Sequence, residues 1–510
     1  MSSNSKPNVL IIMVDQLNFR TLGCYRKKLP RDQALIWGQN TMLETPFLDS
    51  LAAQGLLFTN FYTVSPTCTP SRASFITGNY PHATGATSNN KPLFDNVTSF
   101  AHILKQHGYY TAYIGKWHLY GEAIPGWGTQ QNNTFGFTHV SLQYNRGGAS
   151  KVFLPHRDQQ QADSSHSLAP PADQYDMYSL RDYIPSLNAT GQQVANESTY
   201  LTDFLIQKTM DVIVQHDHQN YETSKQQPFA IMLSIPDPHP PYAVRSPYNT
   251  LYQDVHFDVP QSMEQTLQHL PQSPPKWAHA HDNFTSSPPM QELTRLFQNQ
   301  RALRQYFGMI KCLDDNVGKL LSFIESYYNN TVIVFTSDHG GLLGEHALQN
   351  KGKPYKTSAG VPFIIKYPPL IPTETVIHTP TANIDFTPTL LSLLNITIKH
   401  SQTSLLHGQD LSLEWIQGIT SNRTIYLSSP ERDWIAAVNS NYKLVLSTKD
   451  QPWLFDLVHD PHEMKNYYKH PLYKAVASNM RHDLLNHIER FIPSHILDTD
   501  KILDDDMAMD

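Results

Sequence analysis

Four nearly continuous apolar runs constrain the fold of this chain more than any other feature of its sequence. They are rich in Val, Ile, Leu and aromatic residues, and they occupy Val9–Val14, Tyr109–Ile114, Phe229–Ile235 and Thr331–Phe335. Runs of this kind are typical of strands buried on both faces, which occur in parallel sheets covered by helices. Segments with helical periodicity lie between them, around residues 45–55, 100–107, 200–214 and 293–326. The alternation predicts an α/β fold with a parallel sheet flanked by helices.

Each apolar run is followed by side chains that can carry chemistry. In chain order these are Asp15 and Gln16, Lys116 and His118, His239, and Asp338 and His339. Because ligands bind beyond the carboxyl ends of parallel strands, we expect these side chains to converge at one edge of the sheet. Their hard oxygen donors and an imidazole suit Ca²⁺, Mg²⁺ or Mn²⁺.

Taken singly, each of these residues has an ordinary structural explanation. Asp15 could cap a helix, Lys116 could be a solvated surface charge, and His239 could be a turn residue between prolines. Their joint placement after four buried strands favours the functional interpretation.

The stretch Pro66–Gly78 carries a cysteine at the predicted start of a helix. Pro70 suits a first helical turn, which puts Cys68 at or just before the helix N-terminus. Free backbone N–H groups and the helix dipole would stabilise negative charge there, and Arg72 adds a full positive charge. A buried structural cysteine is the ordinary alternative. A cysteine-phosphatase loop is excluded, because the spacing from Cys68 to Arg72 is too short.

Length and composition set the outer limits. At 510 residues the chain is longer than a single hydrophobic core usually supports, so a large domain plus a smaller one is expected. The 38 Lys plus Arg and 45 Asp plus Glu give a formal charge of -7 without a basic run, so no nucleic-acid partner is expected. Three cysteines are too few for a disulfide framework. No membrane span or signal-peptide cleavage site is visible, which predicts a cytoplasmic chain, or a secretory or lysosomal one if the N-terminus is truncated.

The sequence changes character near Asn422. Short alternating runs then come at hairpin spacing, followed by a helical segment at Tyr473–Phe491. We therefore expect a catalytic α/β domain over residues 1–420 and an antiparallel sheet plus helix over residues 421–510. The polar stretch 120–193 is expected to be a lid or a poorly ordered insertion. Residues 261–290 form a second proline-rich polar stretch. The acidic end Asp498–Asp510 is expected to be a frayed tail.

The Cys68 stretch resembles the signature of the formylglycine-dependent sulfatases of the alkaline-phosphatase superfamily. Cys68-Thr69-Pro70-Ser71-Arg72 fits the family's Cys-x-Pro-x-Arg element. Further similarities follow over nearly the whole chain, at Asp15, Gly115–His118, Pro238-His239, Asp338-His339, Lys351–Tyr355 and Leu454–Leu457 with Asp460, Pro461 and Glu463. The resemblance, to arylsulfatases and choline-sulfatases, implies a large mixed, mostly parallel sheet flanked by helices, with a smaller C-terminal antiparallel sheet.

The resemblance also implies a reaction, the hydrolysis of a sulfate monoester. It implies that the catalytic residues are Cys68, Arg72, Lys116, His118, His239 and Lys351, and that the metal ligands are Asp15, Gln16, Cys68, Asp338 and His339. Cys68 would be oxidised to Cα-formylglycine by a maturation enzyme, and its hydrate would attack sulfur beside one divalent metal, expected to be Ca²⁺ with Mg²⁺ or Mn²⁺ as alternatives. The implied substrate is a small aryl, choline or carbohydrate sulfate, and an oligomer is compatible with the sequence.

Some positions depart from the family pattern. Gln16 stands where many members have a second Asp, and Lys356 and Gly360 stand where members often have Glu and Arg. These differences bear on the substrate pocket more than on the catalytic core. A phosphodiester or phosphonate monoester hydrolase on the same fold therefore remains the alternative. A non-catalytic binding protein would be expected to lose Cys68 or the metal aspartates, and all are present.

Overall fold

The computed structural model describes residues 6–41, 43–121, 133–144, 197, 200–279, 288–397 and 406–492. Most of the polar stretch 120–193 and the whole of Asp498–Asp510 lie outside the described residues. The expectations of a lid or poorly ordered insertion and of a frayed tail therefore stay predictions.

The strands of the described residues fall into a large sheet, a strand pair and a smaller sheet. They are β1 (Asn8–Val14), β2 (Leu56–Phe58), β3 (Phe61–Tyr62), β4 (Tyr110–Lys116), β5 (His139–Tyr144), β6 (Phe229–Ile235), β7 (Thr331–Ser337), β8 (Phe363–Lys366), β9 (Thr375–Ile377), β10 (Thr381–Ala382), β11 (Ile425–Ser428), β12 (Trp434–Val438), β13 (Tyr442–Ser447) and β14 (Trp453–Asp456).

The large sheet has eight strands in the order β5-β4-β6-β1-β7-β8-β2-β9. Neighbours are parallel except at β8, which runs antiparallel to β7 and β2. The mixed, mostly parallel sheet is thus confirmed. The four apolar runs form its adjacent central strands β4, β6, β1 and β7, where both faces of each strand are covered.

The register of these strands brings their carboxyl ends level. Val14 of β1 pairs with Ile235 of β6 on one side and with Ser337 of β7 on the other. On the far side of β6, Gly115 of β4 pairs with Ser234. The residues that follow the four strands therefore emerge together at one edge, as the sequence predicts.

Helices pack on both faces of the large sheet and on the smaller sheet. They are α1 (Gly23–Arg26), α2 (Arg31–Ala34), α3 (Pro46–Ala53), α4 (Cys68–Thr77), α5 (Pro81–Thr84), α6 (Phe100–Gln106), α7 (Leu201–Thr223), α8 (Gln261–Leu267), α9 (Pro288–Asn299), α10 (Arg301–Tyr327), α11 (Lys356–Ala359), α12 (Phe386–Leu393), α13 (Ser412–Gln417) and α14 (Lys474–Phe491). The core that contains Leu10 and Ile12 includes residues of α3, α7 and α10, whereas that with Val9 and Ile11 includes residues of α4, α6 and α12. Among the described helices, none is long and apolar enough to cross a membrane.

The predicted C-terminal antiparallel sheet is present, in the order β11-β12-β13-β14. One face packs on α14, where Leu444 and Leu484 share a buried cluster. The opposite face packs on the larger part of the chain, and the rings of Phe455 and Tyr355 lie 6.2 Å apart. The division of the chain after residue 420 stays a prediction.

The single helix predicted over residues 293–326 is two helices, because Gln300 interrupts it with a left-handed φ of 54°. The side chain of Gln300 pairs with the backbone of Phe257, accepting from its N–H at 2.9 Å and donating to its carbonyl at 2.7 Å. This partner is distant in sequence, so helical periodicity does not reveal the break. Likewise, α8 and β5 lie in polar stretches where the sequence shows little periodicity.

Gly115 lies next to the last residue of β4, and we expect its replacement to lower the stability of the protein. Its φ is 101°, and a Cβ there would stand 2.1 Å from the backbone oxygen of Ser234 on β6. Gly115→Ala should lower the free energy of unfolding by about 3 kcal/mol, from backbone strain plus overpacking. Gly108→Ala is the matched control, since φ is 84° but nothing lies within 4 Å of the new Cβ. Denaturant unfolding of both variants tests this, and equal losses would contradict the steric argument.

Candidate active site

Helix α4 begins at Cys68, as predicted, and is buried along its whole length. Two hydroxyl groups in its first turn attach it to the edge of the large sheet. Thr69 Oγ1 donates to the backbone oxygen of His118 at 2.8 Å, and Ser71 Oγ donates to the backbone oxygen of Asp338. The N-terminus of the helix is thereby fixed against the ends of β4 and β7.

Cys68, Asp15, Asp338 and His339 form one buried cluster at this edge. A potential ligand atom from each lies within 4.8 Å of the others. Cys68 Sγ is 3.1 Å from His339 Nε2 and 3.9 Å from Asp15 Oδ1. His339 Nε2 is 3.6 Å from Asp15 Oδ1 and 3.7 Å from Asp338 Oδ1. Four of the five predicted metal ligands are therefore together.

The orientation of His339 leaves a lone pair facing this cluster. Nδ1 lies 2.9 Å from the backbone oxygen of Gly340, and because a carbonyl oxygen only accepts, Nδ1 carries the proton. Nε2 is then free to act as a ligand. The backbone N–H groups of Gln16 and His339 donate to Asp338 Oδ1 at 3.2 Å and 2.8 Å. These bonds fix the carboxylate beside the imidazole.

Two lysines place positive charge at the cluster. Lys116 Nζ forms a fully buried ion pair with Asp15 Oδ2. Lys351 Nζ donates to Gln16 Oε1 at 2.8 Å, whereas the neighbouring Lys353 donates to the backbone oxygen of Trp277 at 2.8 Å. Of these two, it is Lys351 that faces the cluster, as the sequence interpretation expects.

Arg72 adds a third cation, which is fully buried. Its Nε donates to Asp338 Oδ2 at 2.9 Å, and its Nη1 donates to Ser234 Oγ at 2.6 Å and to the backbone oxygen of Lys116 at 3.2 Å. Ser234 was missed by the sequence interpretation, although it is the only hydroxyl residue in the apolar run Phe229–Ile235. That polar exception was the signal that could have identified it.

The surrounding charges set the ionisation of the cluster. Burial alone would raise the pKa of the Cys68 thiol, but Lys116 and Lys351 outweigh it and hold this pKa well below its usual value. Burial is likewise outweighed at Asp15, where Lys116 is the main cause of a pKa well below the usual range. Burial, with the nearby Asp15 charge, raises the pKa of Asp338. The site thus favours an anion at residue 68 and suits a cation between the carboxylates.

The donor atoms fit one divalent metal. Gln16, the fifth predicted ligand, has a left-handed φ of 62°, and its Oε1, the side-chain atom that could bind a cation, accepts from Lys351 Nζ at 2.8 Å. Two carboxylates, an amide and an imidazole suit a hard cation such as Ca²⁺ or Mg²⁺. The thiol of Cys68 is a soft donor, so an oxygen at that position would suit the same ion better.

His118 and His239 approach the cluster from the end of β4 and from the turn after β6. His118 is buried, and its Nδ1 has no hydrogen-bond partner among the described residues. Burial lowers the pKa of His118, against an opposing hydrogen bond with Cys68. His239 is half-buried, its Nδ1 donates to the backbone oxygen of Pro240 at 2.7 Å, and burial lowers its pKa to about 3. Both rings are therefore neutral at neutral pH.

Lys356 and Gly360 contact residues other than the four of this cluster, and the expectation that they bear on the substrate pocket stays a prediction. Lys356 Nζ donates to Asn60 Oδ1 at 2.8 Å, and its backbone N–H donates to Glu463 Oε2 at 2.6 Å. A Cβ on Gly360 would stand 2.6 Å from the backbone oxygen of Lys356. Through Glu463, Lys356 contacts the segment that follows β14. Gly360 pairs with Tyr62 and lies beside Gly340.

Comparison with protein families matches residues 7–396 to the family described as Sulfatase. The chain belongs to the sulfatase family. The C-terminal part of this sulfatase, residues 344–490, matches a family described as N-sulphoglucosamine sulphohydrolase, C-terminal. The protein is accordingly an enzyme of the sulfuric ester hydrolase class.

Individual relatives agree with this assignment. The sulfatase is 30% identical to the choline-sulfatase of Rhizobium meliloti over 408 residues, which cover 78% of this chain and 69% of that protein. A solved structure with its substrate D-glucosamine-2-N,6-O-disulfate has a TM-score of 0.68 at 20% identity, covering 96% of this chain and 98% of that one. A phosphonate monoester hydrolase from Silicibacter pomeroyi has a TM-score of 0.65 at 22% identity, covering 95% and 96%. The two structures agree with the alkaline-phosphatase-like fold.

Proposed function

We propose that this sulfatase hydrolyses a sulfate monoester with residue 68 as nucleophile, after Cys68 has been oxidised to formylglycine by a maturation enzyme. The observation that carries the proposal is the position of Cys68 Sγ, 3.1 Å from His339 Nε2 at the start of a buried helix. The lysines that hold the pKa of the thiol low would equally stabilise an oxygen anion there.

The two hydroxyl groups of hydrated formylglycine have different tasks. One loses its proton to solvent and attacks sulfur, and the bond between sulfur and the alcohol oxygen breaks. His118 takes the proton from the other, so that its C–O bond becomes a carbonyl while the bond between carbon and the sulfate oxygen breaks. Sulfate is released, and water hydrates the aldehyde again. A neutral His118, with its pKa lowered by burial, suits this base.

The remaining polar side chains bind the sulfate group and supply a proton. Lys116 and Lys351 hold sulfate oxygens, and Arg72 orients Asp338. His239 Nε2 first takes up a proton from solvent and then donates it to the leaving alcohol, because its Nδ1 proton is engaged with the backbone. The ring is neutral in the free site, and the negative charge of a bound sulfate ester would raise its pKa.

Asp15, Asp338 and His339 would hold one divalent metal together with the amide oxygen of Gln16, and Ca²⁺ is the expected ion. When bound, the metal supplies positive charge that lowers the pKa of the hydrate and stabilises charge in the transition state. An oxygen of residue 68 would complete the set in place of the thiol.

The substrate class rests on chemistry and on the relatives. A small sulfated molecule is supported by the choline-sulfatase and by the relative that binds a sulfated glucosamine. The phosphonate monoester hydrolase supports the second candidate, hydrolysis of a phosphonate monoester or phosphodiester. A phosphodiester or phosphonate monoester carries one negative charge, as a sulfate monoester does, so the charges of the site would accept either class.

Esters that share one leaving group distinguish the two candidate functions. We expect kcat/KM for an aryl sulfate to exceed that for the aryl phosphodiester and the aryl phosphonate monoester, with measurable activity on the last two. All three should be measured on one preparation of known formylglycine content. A preference for a phosphorus ester of more than about tenfold, or about 1.4 kcal/mol in transition-state binding, would move the assignment to the second candidate.

A further inference from the structure

Asp237 lies in the turn that carries His239, and the reaction outlined above does not use it. The backbone N–H of His239 donates to the oxygen of Pro236 at 3.1 Å, which closes a four-residue turn with Asp237 as its first central residue. The side chain of Asp237 is 1% exposed. A buried carboxylate in such a turn is stable only when other groups satisfy it.

Two hydroxyl groups from the start of α7 satisfy this carboxylate. Tyr200 and Thr202 each donate to the same oxygen, Oδ2 of Asp237, at 2.6 Å. Tyr200 also lies 3.2 Å from the backbone oxygen of Ala243, further along the same loop. The start of helix α7 is therefore hydrogen-bonded to the turn through one side-chain oxygen of Asp237.

The backbone of Asp237 connects the same turn to the metal cluster. Its carbonyl accepts from the backbone N–H of Asp15 at 3.1 Å. Asp237 thus joins three elements, namely the end of β1 with Asp15, the turn with His239, and the buried N-terminus of α7.

We propose that Asp237 is a positioning residue that sets His239 against the leaving oxygen, using Tyr200 and Thr202 as its support. The inference rests on the proposed function, in which His239 protonates the leaving alcohol. Loss of the support would let the turn shift, and a shift of about 1 Å in a catalytic group costs on the order of 100-fold in rate. The loss of kcat should be larger for a substrate whose leaving group needs protonation.

The test compares two sulfate esters on the matured, metal-loaded enzyme. Asp237→Ala should lower kcat on the order of 100-fold for phenyl sulfate, whose leaving group needs protonation, but less than about tenfold for 4-nitrophenyl sulfate, whose leaving group does not. Asp237→Asn should restore most of the activity on phenyl sulfate, since one amide oxygen can accept from both hydroxyl groups. Metal content should stay unchanged.

A pair of threonines on the same helix gives a matched control that does not depend on Asp237 variants folding. Thr202→Val removes one support and should lower kcat on phenyl sulfate several-fold more than on 4-nitrophenyl sulfate. Thr209→Val is the same substitution at an equally buried site, where the hydroxyl group donates to the backbone oxygen of Leu205 at 2.7 Å, and should change neither.

Three outcomes would overturn the inference. Equal losses on both esters would assign Asp237 a purely structural role. An Asp237→Asn variant as impaired as Asp237→Ala would mean that charge matters and position does not. The third outcome concerns His239→Ala. If its loss of kcat did not depend on the leaving group, the acid role of His239 in the proposed function itself would be refuted. If the loss of kcat depended on the leaving group in His239→Ala but not in Asp237→Ala, only the positioning role of Asp237 would be refuted.

Discussion

Cys68→Ala is expected to lower kcat/KM for an aryl sulfate by at least about 10⁴-fold, or about 5 kcal/mol of transition-state stabilisation. The reason is that Cys68 supplies the thiol of the cluster with Asp15, Asp338 and His339, whereas the neighbouring hydroxyl groups of Thr69 and Ser71 donate to backbone oxygens. The same preparation of unaltered enzyme should yield a residue 68 peptide with the mass of the aldehyde or its hydrate. Steady-state kinetics and peptide mass spectrometry are the two measurements.

Cys312→Ala is the matched control, because both cysteines are 0% exposed and the substitution is identical. Cys312 lies on α10 beside Asp203, outside the cluster, with Sγ 3.9 Å from Asp203 Oδ2. Its replacement should cost about 1–2 kcal/mol of stability and leave kcat/KM within about threefold. An unmodified Cys68 thiol in enzyme of full activity would refute the nucleophile assigned here.

The sequence alone was enough to predict the central strands and the site edge. Apolar runs such as Val9–Val14 are long enough to specify buried strands, and a parallel register then carries Asp15 and Asp338 to the same edge regardless of the rest of the chain. The start of α4 at Cys68 follows from local backbone preferences of Pro70.

What could not be predicted depends on contacts between distant segments. The break at Gln300 requires the backbone of Phe257, and the backbone hydrogen bond of Lys356 requires Glu463. The role proposed for Asp237 is of the same kind, because its turn is visible in the sequence whereas its partners on α7 are not. Local patterns specify which elements form and which residues follow them, but not which side chains meet across the fold.

Asp338→Asn is expected to remove bound metal and activity together. The amide oxygen can still accept from the backbone N–H groups of Gln16 and His339, whereas the amide nitrogen would replace the oxygen that accepts from Arg72. What is lost is the negative charge that faces His339 Nε2 at 3.7 Å. We expect bound divalent metal, measured by elemental mass spectrometry, to fall at least about tenfold, and kcat/KM to fall at least about 10³-fold.

Asp314→Asn separates this effect from the general cost of altering a buried carboxylate. Asp314 is also 0% exposed and accepts from the backbone N–H groups of Phe47 and Leu48, at 3.4 Å and 2.9 Å, near the start of α3. Burial raises its pKa to about 7, so its protonated form is already well populated at neutral pH, and an amide imitates that form. This control should keep both metal and activity. If Asp338→Asn retained stoichiometric metal while Asp314→Asn behaved as expected, the ion would be held by other residues, and the charge of Asp338 would serve Arg72 alone.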